Sequence, residues 1–417
     1  MELENFFGKN YHYIWSDNWC LDGDKAWYMA GAMDALFCLD LKLNKTIMID
    51  HIPSDNCLLF RQHPIIMKKN DIIICFPDNG NDIWIYRITE HLWSCISVSN
   101  PLGVRISCQK AWFIKDKLYI VALGLKQIIE LDLKKQKIDH YYNLSENRCE
   151  RLAESVLINE YIYTVSSDYP YIYKFNCIEK SLKKYDLSEI DDQFQTICYD
   201  GNQFYLSGRN KKIYIWNEET EKLIILDEFP STFGIWNFSG KYKRLLNCKE
   251  NLKITSIFLS SVYAGDFIWF IPFQANEILY MRKGTSKINI FRLQEEMQTD
   301  YDMSNQLLNA KFLLQYVKSD RYIGLFSLKN KWLIEIDSWK LEYKILNYDL
   351  DEKIIQDIKE LVFQNMMERD CAYVEYCSDD LKRLLEFCLK EQNSRTIMCK
   401  EDKKKDFGKK IYSYVKH

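Results

Sequence analysis

Short apolar runs separated by polar turns repeat along the chain up to about residue 350. From Ile114 to Ile138 the order is a polar turn at Lys115 and Asp116, an apolar run containing an aromatic residue, a short gap, an apolar run ending on Asp132, and a lysine-rich turn. Short apolar runs bounded by turn residues predict β-strands. No helical period runs through this region, which excludes a solenoid of helix pairs.

The turn that opens this stretch recurs at a regular interval. With Asp116 counted, seven equivalent turns lie near residues 24, 71, 116, 160, 202, 266 and 320. A period of roughly 40–50 residues with four short strands in each unit is typical of β-propeller blades. We therefore predict an all-β fold over residues 1–350, a β-propeller with seven blades of four antiparallel strands. Six or eight blades are the alternatives.

Two routes could close the predicted ring. The segment from Asn10 to Trp15 could add a strand to the last blade, as propellers commonly do. Alternatively, the seventh unit could own its fourth strand, in the stretch "LEYKILNY" that begins at Leu341. The sequence leaves both routes open.

The hydrophobic period changes after residue 350. Ile354, Ile358 and Leu361 recur at helical spacing, and Ser378 is a typical N-cap residue ahead of a second apolar stripe. We predict an α-helical extension over residues 351–417. Its apolar side must cover either the propeller or another protein.

Composition narrows the class of protein. Apolar residues make up 47% of the 417 residues, which is ample material for a core, and the formal net charge is only −3. A balanced charge gives no general attraction to nucleic acid or to a membrane surface. The N-terminal residues have no secretory pattern, and no run approaches the roughly 18 apolar residues of a membrane span. The 14 cysteines include no Cys-x-x-Cys pair, so we expect a cytoplasmic protein with reduced thiols.

The strand pattern resembles the Kelch-type, galactose-oxidase-like β-propeller superfamily. The resemblance rests on stretches such as "KDKLYIVAL" and "NEYIYTVSS" and covers residues 15–350. Kelch repeats carry a glycine doublet after the second strand, where this chain has single glycines at Gly124, Gly208 and Gly324. The resemblance implies the propeller fold, and a fold by itself does not specify a function.

Motifs for catalysis are missing from the sequence. The six histidines are dispersed, and there is no phosphate-binding glycine loop, nucleophile elbow or zinc-protease helix. We therefore predict no catalytic residues, no metal and no cofactor, and we favour a non-enzymatic protein over an enzyme.

Basic residues recur just before the first strand of several units. Arg61, Arg105, Arg151 and Lys311 stand at comparable distances ahead of their turns. Equivalent positions in successive blades are neighbours around the axis, so we predict an arc of positive charge at the channel mouth that suits an anionic ligand. The alternative is that each arginine pairs with a nearby carboxylate, for example that of Glu146 or Glu150.

The loops between second and third strands should open on the same face. Five of their residues are expected to be exposed there, namely Asp34, Asp78, Asp168, Tyr169 and Arg209.

These features favour a non-catalytic binding or scaffold propeller that holds a protein partner, with residues 352–417 as a second contact. The alternative is recognition of a carbohydrate or another anionic ligand on the channel face, which includes a glycan-active enzyme. Aromatic residues, 15% of the chain, would supply flat faces for sugars. Neither of these two hypotheses predicts nucleic acid or a membrane as a partner.

Overall fold

A computed structural model describes most of the propeller region. The described residues are 16–30, 34–53, 62–78, 82–98, 106–146, 150–235, 256–273, 275–293, 312–327, 332–346 and 349–350. The predicted helical extension over residues 351–417 lies outside them and stays a prediction.

Seven sheets, each with four antiparallel strands contributed in chain order, confirm the predicted seven-bladed propeller. Blades 1 to 7 are numbered in the same order. Their strands are Cys20–Asp22, Lys25–Ala30, Ala35–Asp40 and Lys45–His51 (β1–β4); Ile65–Lys69, Ile72–Phe76, Asp82–Arg87 and Leu92–Ser97 (β5–β8); Cys108–Ile114, Lys117–Ala122, Gln127–Asp132 and Lys137–Asn143 (β9–β12); Leu152–Ile158, Tyr161–Ser166, Tyr171–Asn176 and Leu182–Asp186 (β13–β16); Phe194–Tyr199, Phe204–Gly208, Ile213–Trp216 and Leu223–Leu226 (β17–β20); Phe258–Ala264, Phe267–Pro272, Ile278–Arg282 and Ile288–Phe291 (β21–β24); and Phe312–Lys318, Tyr322–Ser327, Leu333–Asp337 and Glu342–Leu346 (β25–β28).

The hairpin between the first and second strands of each blade contains the polar turn seen in the sequence. Asn70 and Asn159 adopt a left-handed backbone there, with φ of 52° at both residues. Asparagine tolerates this conformation better than most residues because its short side chain can bond locally. The repeated polar turn is therefore a backbone requirement of the blade.

Neighbouring blades bury each other's apolar faces. Between blades 2 and 3 the buried cluster is mainly aliphatic and includes Ile74 and Ile120, whereas between blades 4 and 5 it includes the aromatic residues Phe204 and Trp216. Full burial of one such side chain stabilises the fold by about 1.5–3 kcal/mol. The core is thus a ring of interfaces between sheets, which explains why no single blade would be stable alone.

Blades 7 and 1 meet directly. The backbone N–H of Trp19 donates to the carbonyl of Gln315 at 2.8 Å, and the Gln315 amide donates to the carbonyl of Ser16 at 2.9 Å. The Trp19 ring stacks on Tyr28 with centroids 4.9 Å apart. Each of the two blades has four strands of its own, so the seventh unit does own its fourth strand. The segment 10–15 lies outside the described residues.

A short strand after blade 7 returns to blade 1. Asp349–Leu350 (β29) pairs parallel with Lys45 and Thr46 of β4, at the outer edge of the first sheet. Chain segments from both ends of the propeller are therefore held at blade 1, one at its inner strand and one at its outer strand.

One of the single glycines has a clear packing reason. A Cβ atom at Gly324 would lie 2.3 Å from a ring carbon of Tyr316, so only glycine lets this ring cross the second strand of blade 7. The ring in turn places its hydroxyl 2.9 Å from Glu335.

Candidate binding face of blades 3 to 5

The candidate site lies on one face of the ring. We call it the entry face: the face where the first strand of each blade begins and where the loops between second and third strands lie. In blade 4, Arg151 directly precedes β13, and Asp168 and Tyr169 occupy the loop between β14 and β15. In blade 5, Arg209 occupies the corresponding loop between β18 and β19. The fold therefore brings together residues 58 positions apart.

Two guanidinium groups share one carboxylate at this place. Arg151 donates from Nη2 to Asp168 Oδ1 at 2.7 Å and from its backbone N–H to Oδ2 at 2.6 Å. Arg209 approaches the same Oδ1 with Nη2 at 4.0 Å and donates to the carbonyl of Ser167 at 3.1 Å. These three side chains carry two positive charges and one negative charge, and Asp192, whose Oδ1 accepts the Arg209 backbone N–H at 2.9 Å, adds a second carboxylate beside Arg209.

Burial and neighbouring charges shift the pKa values of Arg209 and Asp168. Burial lowers the pKa of Arg209, and the neighbouring Arg151 lowers this pKa further. Burial alone would raise the pKa of Asp168, but the hydrogen bonds and charge of Arg151 outweigh it, so this pKa is lowered. The Nε atom of Arg209 is buried and has no hydrogen-bond partner. Asp168 therefore remains ionised, and Arg209 is under-satisfied.

Of the four basic residues in the predicted arc, the structure describes only Arg151. Arg61, Arg105 and Lys311 lie outside the described residues, so the arc stays a prediction. At Arg151 the structure has the local ion pair that was the alternative interpretation. The carboxylate belongs to Asp168, however, and not to Glu146 or Glu150.

The expectation that Asp34 is exposed is wrong. Asp34 is 3% exposed, and its Oδ2 lies 2.8 Å from Nδ1 of His63, which is equally buried. The Asp34 Oδ1 atom also accepts the His63 backbone N–H at 3.1 Å. This carboxylate therefore joins the loop of blade 1 to the start of blade 2. A sequence cannot reveal such a pairing between residues 29 positions apart.

Asp78, Asp168, Tyr169 and Arg209 are each half-buried. The Asp78 backbone N–H donates to the carbonyl of Gln62 at 2.8 Å, and its carbonyl accepts from Ser107 at 3.3 Å. Asp78 thus connects blades 2 and 3, far from the cluster in blades 4 and 5. Among the described site residues, Arg151, Asp168, Tyr169 and Arg209 consequently lie together in blades 4 and 5, whereas Asp78 lies between blades 2 and 3.

A cavity of about 420 Å³ opens between blades 3 and 4, next to this cluster. Its lining consists of Leu144, Ser145, Glu146, Glu150, Tyr169, Tyr171, Tyr173, Leu182 and Lys184. The rings of Tyr169 and Tyr171 stack with centroids 5.2 Å apart, and Tyr173 stands nearly perpendicular to Tyr171. We call this space the tyrosine cavity.

Sequence reasoning missed most of the cavity, although a signal was present. In "YPYIY" the tyrosines alternate at positions 169, 171 and 173. Residues two apart on a strand face the same side, so this pattern predicts a row of aromatic rings.

A second polar cluster crosses the centre of the ring. Glu154 in β13 is 2% exposed and accepts the backbone N–H groups of Ile197 and Ser261, both at 3.1 Å. Lys110 of blade 3 donates to its other oxygen at 3.3 Å, and Ser260 donates to that oxygen as well. One carboxylate therefore connects the first strands of blades 3, 4, 5 and 6. Its oxygens are occupied by the protein itself, which makes it a structural group of the channel.

No group of three or more histidine, cysteine or acidic side chains is arranged to hold a metal ion within the described ranges. In the same part of the chain, no helix has the length and hydropathy required to cross a bilayer.

Comparison with known proteins supports the propeller fold. No family model matches the chain. Kelch-like protein 38 of Danio rerio is 27% identical over 146 residues, which is 33% of this chain and 21% of that protein. The chain thus matches about a fifth of the length of this relative. At the level of the fold, it resembles Kelch-type propellers.

Solved propellers align over most of the ring. The streptogramin B lyase structure aligns with a TM-score of 0.56 and 13% identity, covering 82% of this chain and 96% of that one. Virginiamycin B lyase from Staphylococcus aureus aligns with a TM-score of 0.54 and 10% identity, covering 75% and 92%. At these identities the likeness concerns the propeller fold alone.

Proposed function

We propose that this protein is a non-catalytic binding propeller that holds a protein partner on the entry face of blades 3 to 5. The observation that carries the proposal is the cluster of Arg151, Asp168 and Arg209, in which two guanidinium groups share one carboxylate. A carboxylate of the partner would supply acceptors for the guanidinium groups, including the buried Nε of Arg209 that has no hydrogen-bond partner among the described residues. Protein interfaces are enriched in arginine and tyrosine, the residue types concentrated here.

Affinity capture with the full chain tests this proposal. The double variant Arg151→Ala/Arg209→Ala should lose the proteins that the unaltered chain retains, measured by quantitative mass spectrometry. The matched control is Arg87→Ala/Arg282→Ala, which removes two arginines at the ends of third strands, on the opposite face of the ring. If both double variants retain the same proteins, the entry face of blades 4 and 5 is not the binding surface.

The predicted helical extension is proposed as a second contact with the partner. Deletion of residues 352–417 should weaken capture while leaving the thermal unfolding of the propeller unchanged. A truncated chain that unfolds at a lower temperature and still captures the partner would instead assign the extension to the propeller's own stability.

Recognition of an acidic carbohydrate is the second candidate function. The stacked rings of Tyr169 and Tyr171, with the guanidinium of Arg151 on the same loop system, favour it. A glycan array probed with the full chain and with Arg151→Ala/Arg209→Ala separates the two candidates. Binding of a defined acidic glycan that the double variant loses would support this second function over the first. A cytoplasmic location and the absence of nucleic acid among the partners stay predictions.

A further inference from the structure

Tyrosine-bonded glutamates form a recurring unit in this propeller. Glu130 accepts from Tyr142 at 2.8 Å, Glu218 accepts from Tyr163 at 2.6 Å, and Glu335 accepts from Tyr316 at 2.9 Å. Each of these three carboxylates also has a lysine ammonium beside it. The distances are 2.6 Å from Lys180 to Glu130, 2.6 Å from Lys174 to Glu218 and 2.8 Å from Lys344 to Glu335.

Glu150 has the tyrosine but not the lysine. Its Oε1 atom accepts from the hydroxyl of Tyr173 at 2.8 Å, and its Oε2 atom accepts from the hydroxyl of Ser145. Both donors are neutral, and no basic nitrogen in the described part of the chain lies within ion-pair distance of this carboxylate. Glu150 is only 1% exposed, so water cannot screen its charge as it would at the surface.

The tyrosine cavity lies beside the Glu150 carboxylate. Glu150 lies in its wall with Glu146, and among the lining residues that the structure describes Lys184 is the one basic residue. The Lys184 ammonium lies 4.0 Å from the centre of the Tyr171 ring, a distance at which an aromatic face attracts a cation. Leu144 and Leu182 add apolar surface to the same lining.

We propose that the tyrosine cavity binds a lysine side chain, whose ammonium group reaches Glu150 and whose methylene chain packs on the tyrosine rings and leucines. The source of this lysine is the protein partner, so this part of the inference rests on the proposed function. The partner would then present an acidic residue to Arg151 and Arg209 and a lysine to the neighbouring cavity. This arrangement of opposite charges would fix the register of the bound segment.

Titration of the full chain with n-butylammonium tests the chemistry without any partner. Binding is followed by NMR or calorimetry in an amine-free buffer, with 1-butanol as the neutral analogue. We expect the cation to bind at least about tenfold more tightly than the alcohol, as a charge-assisted hydrogen bond in a buried site requires. Equal binding of the two probes would overturn the proposal.

Variants assign the binding to Glu150. Glu150→Gln keeps the shape and the two hydroxyl contacts but removes the charge, so butylammonium binding should fall about tenfold. Glu335→Gln, which changes another tyrosine-bonded glutamate in blade 7, should leave butylammonium binding unchanged. Retention of full affinity by Glu150→Gln, with an unchanged melting temperature, would contradict the assignment.

A second variant supplies the ammonium from the chain itself. Leu182→Lys places a lysine in the cavity lining, on the fourth strand of its blade as Lys344 is in blade 7. We expect this variant to lose butylammonium binding and to melt at a higher temperature. Undiminished butylammonium binding by Leu182→Lys would overturn the proposal.

A final comparison identifies the source of the ammonium. A blocked tripeptide with a central lysine should bind more tightly than spermidine, because the cavity walls contact the methylene chain and the backbone beyond it. Tighter binding of spermidine would overturn the assignment to a protein lysine. These titrations use no partner protein, so their failure is distinguishable from a failure of the Arg151→Ala/Arg209→Ala capture experiment.

Discussion

The interface between blades 3 and 4 and the interface between blades 4 and 5 have the same arrangement of a tyrosine and an ion pair. The two charges of the ion pair are exchanged between the two interfaces. In blade 3, Tyr119 on the second strand lies opposite Glu130 on the third, and in blade 4 Tyr163 lies opposite Lys174. The next blade's turn between third and fourth strands then supplies the counter-charge. This charge is positive at the first interface, from Lys180, and negative at the second, from Glu218.

At both interfaces a tyrosine of the fourth strand also donates a hydrogen bond to the glutamate. Tyr142 donates to Glu130 at 2.8 Å, and Tyr185 donates to Glu218. Between blades 2 and 3 the corresponding position holds Ile74, which lies opposite Ile85 in an apolar cluster. Repeated blades with similar apolar faces could pack on the wrong neighbour, and a buried charge pair penalises such mispairing. We infer that the reversed charges disfavour the packing of these blade faces on any other blade.

Reversal of the charge at Glu130 should have the largest effect on stability. Glu130→Lys would place two ammonium groups together at a site where the native glutamate side chain is 7% exposed. We expect a loss of about 3–5 kcal/mol in the free energy of unfolding, measured by urea denaturation. The double variant Glu130→Lys/Lys180→Glu reproduces the charges of the next interface and should recover most of this loss. A double variant as unstable as the single one would mean that the two interfaces are not equivalent.

Removal of Lys180 and removal of Lys174 should destabilise the two interfaces by different amounts. Lys180→Met leaves Glu130 buried without its cation and should cost about 2–3 kcal/mol, whereas Lys174→Met should cost about 1 kcal/mol. The difference follows from burial, because the side chain of Glu218 is 22% exposed and water can replace the lost ammonium. Equal losses in urea denaturation would contradict this explanation.

The effect of pH should come from the same two glutamates. Burial would raise their pKa values, but hydrogen bonds from Lys180 and Tyr142 lower the pKa of Glu130 below its ordinary value of 4.5. Hydrogen bonds from Lys174, Tyr163 and Tyr185 likewise lower the pKa of Glu218. The unfolded chain therefore binds protons more readily than the folded chain, so this stability is complete above pH 4.5 and declines as the pH falls through the lowered folded-state values.

The measurement is the thermal unfolding temperature as a function of pH. Glu130→Gln/Glu218→Gln should show a shallower decline in acid than the unaltered chain, because the two titrating groups are gone. An identical acid profile in the double variant would assign the pH dependence to other carboxylates, such as Asp168, whose pKa is also lowered.

The smallest expected effect concerns a single hydroxyl group. Tyr163→Phe removes the 2.6 Å hydrogen bond to Glu218 but keeps the ring packing, and it should cost about 1 kcal/mol in urea denaturation. Ile74→Val, at the apolar interface, should cost a similar amount but respond less to salt. A salt response of the same size in both variants would contradict the electrostatic contribution at blades 4 and 5.

The sequence predicted the number of blades, and the first hairpin of each blade lies at the turn that the sequence indicated. These features depend on local patterns: a strand has a period of two, a tight turn needs residues that tolerate a left-handed backbone, and a repeat shows its own period. The same local logic also placed Asp34 on the entry face, but it could not tell that His63 buries it there.

Only the tertiary structure decided how charges and cavities meet across blades. Glu154 contacts blades 3, 5 and 6 because the first strands converge on the axis, and the tyrosine cavity exists because the end of blade 3 stands against the third strand of blade 4. Within the described residues, no lysine ammonium lies within ion-pair distance of Glu150, and this difference is visible only when Glu150 is compared with Glu130, Glu218 and Glu335. Local pattern determines strands and turns, whereas pairing across blades depends on side chains that are dozens of residues apart in the chain.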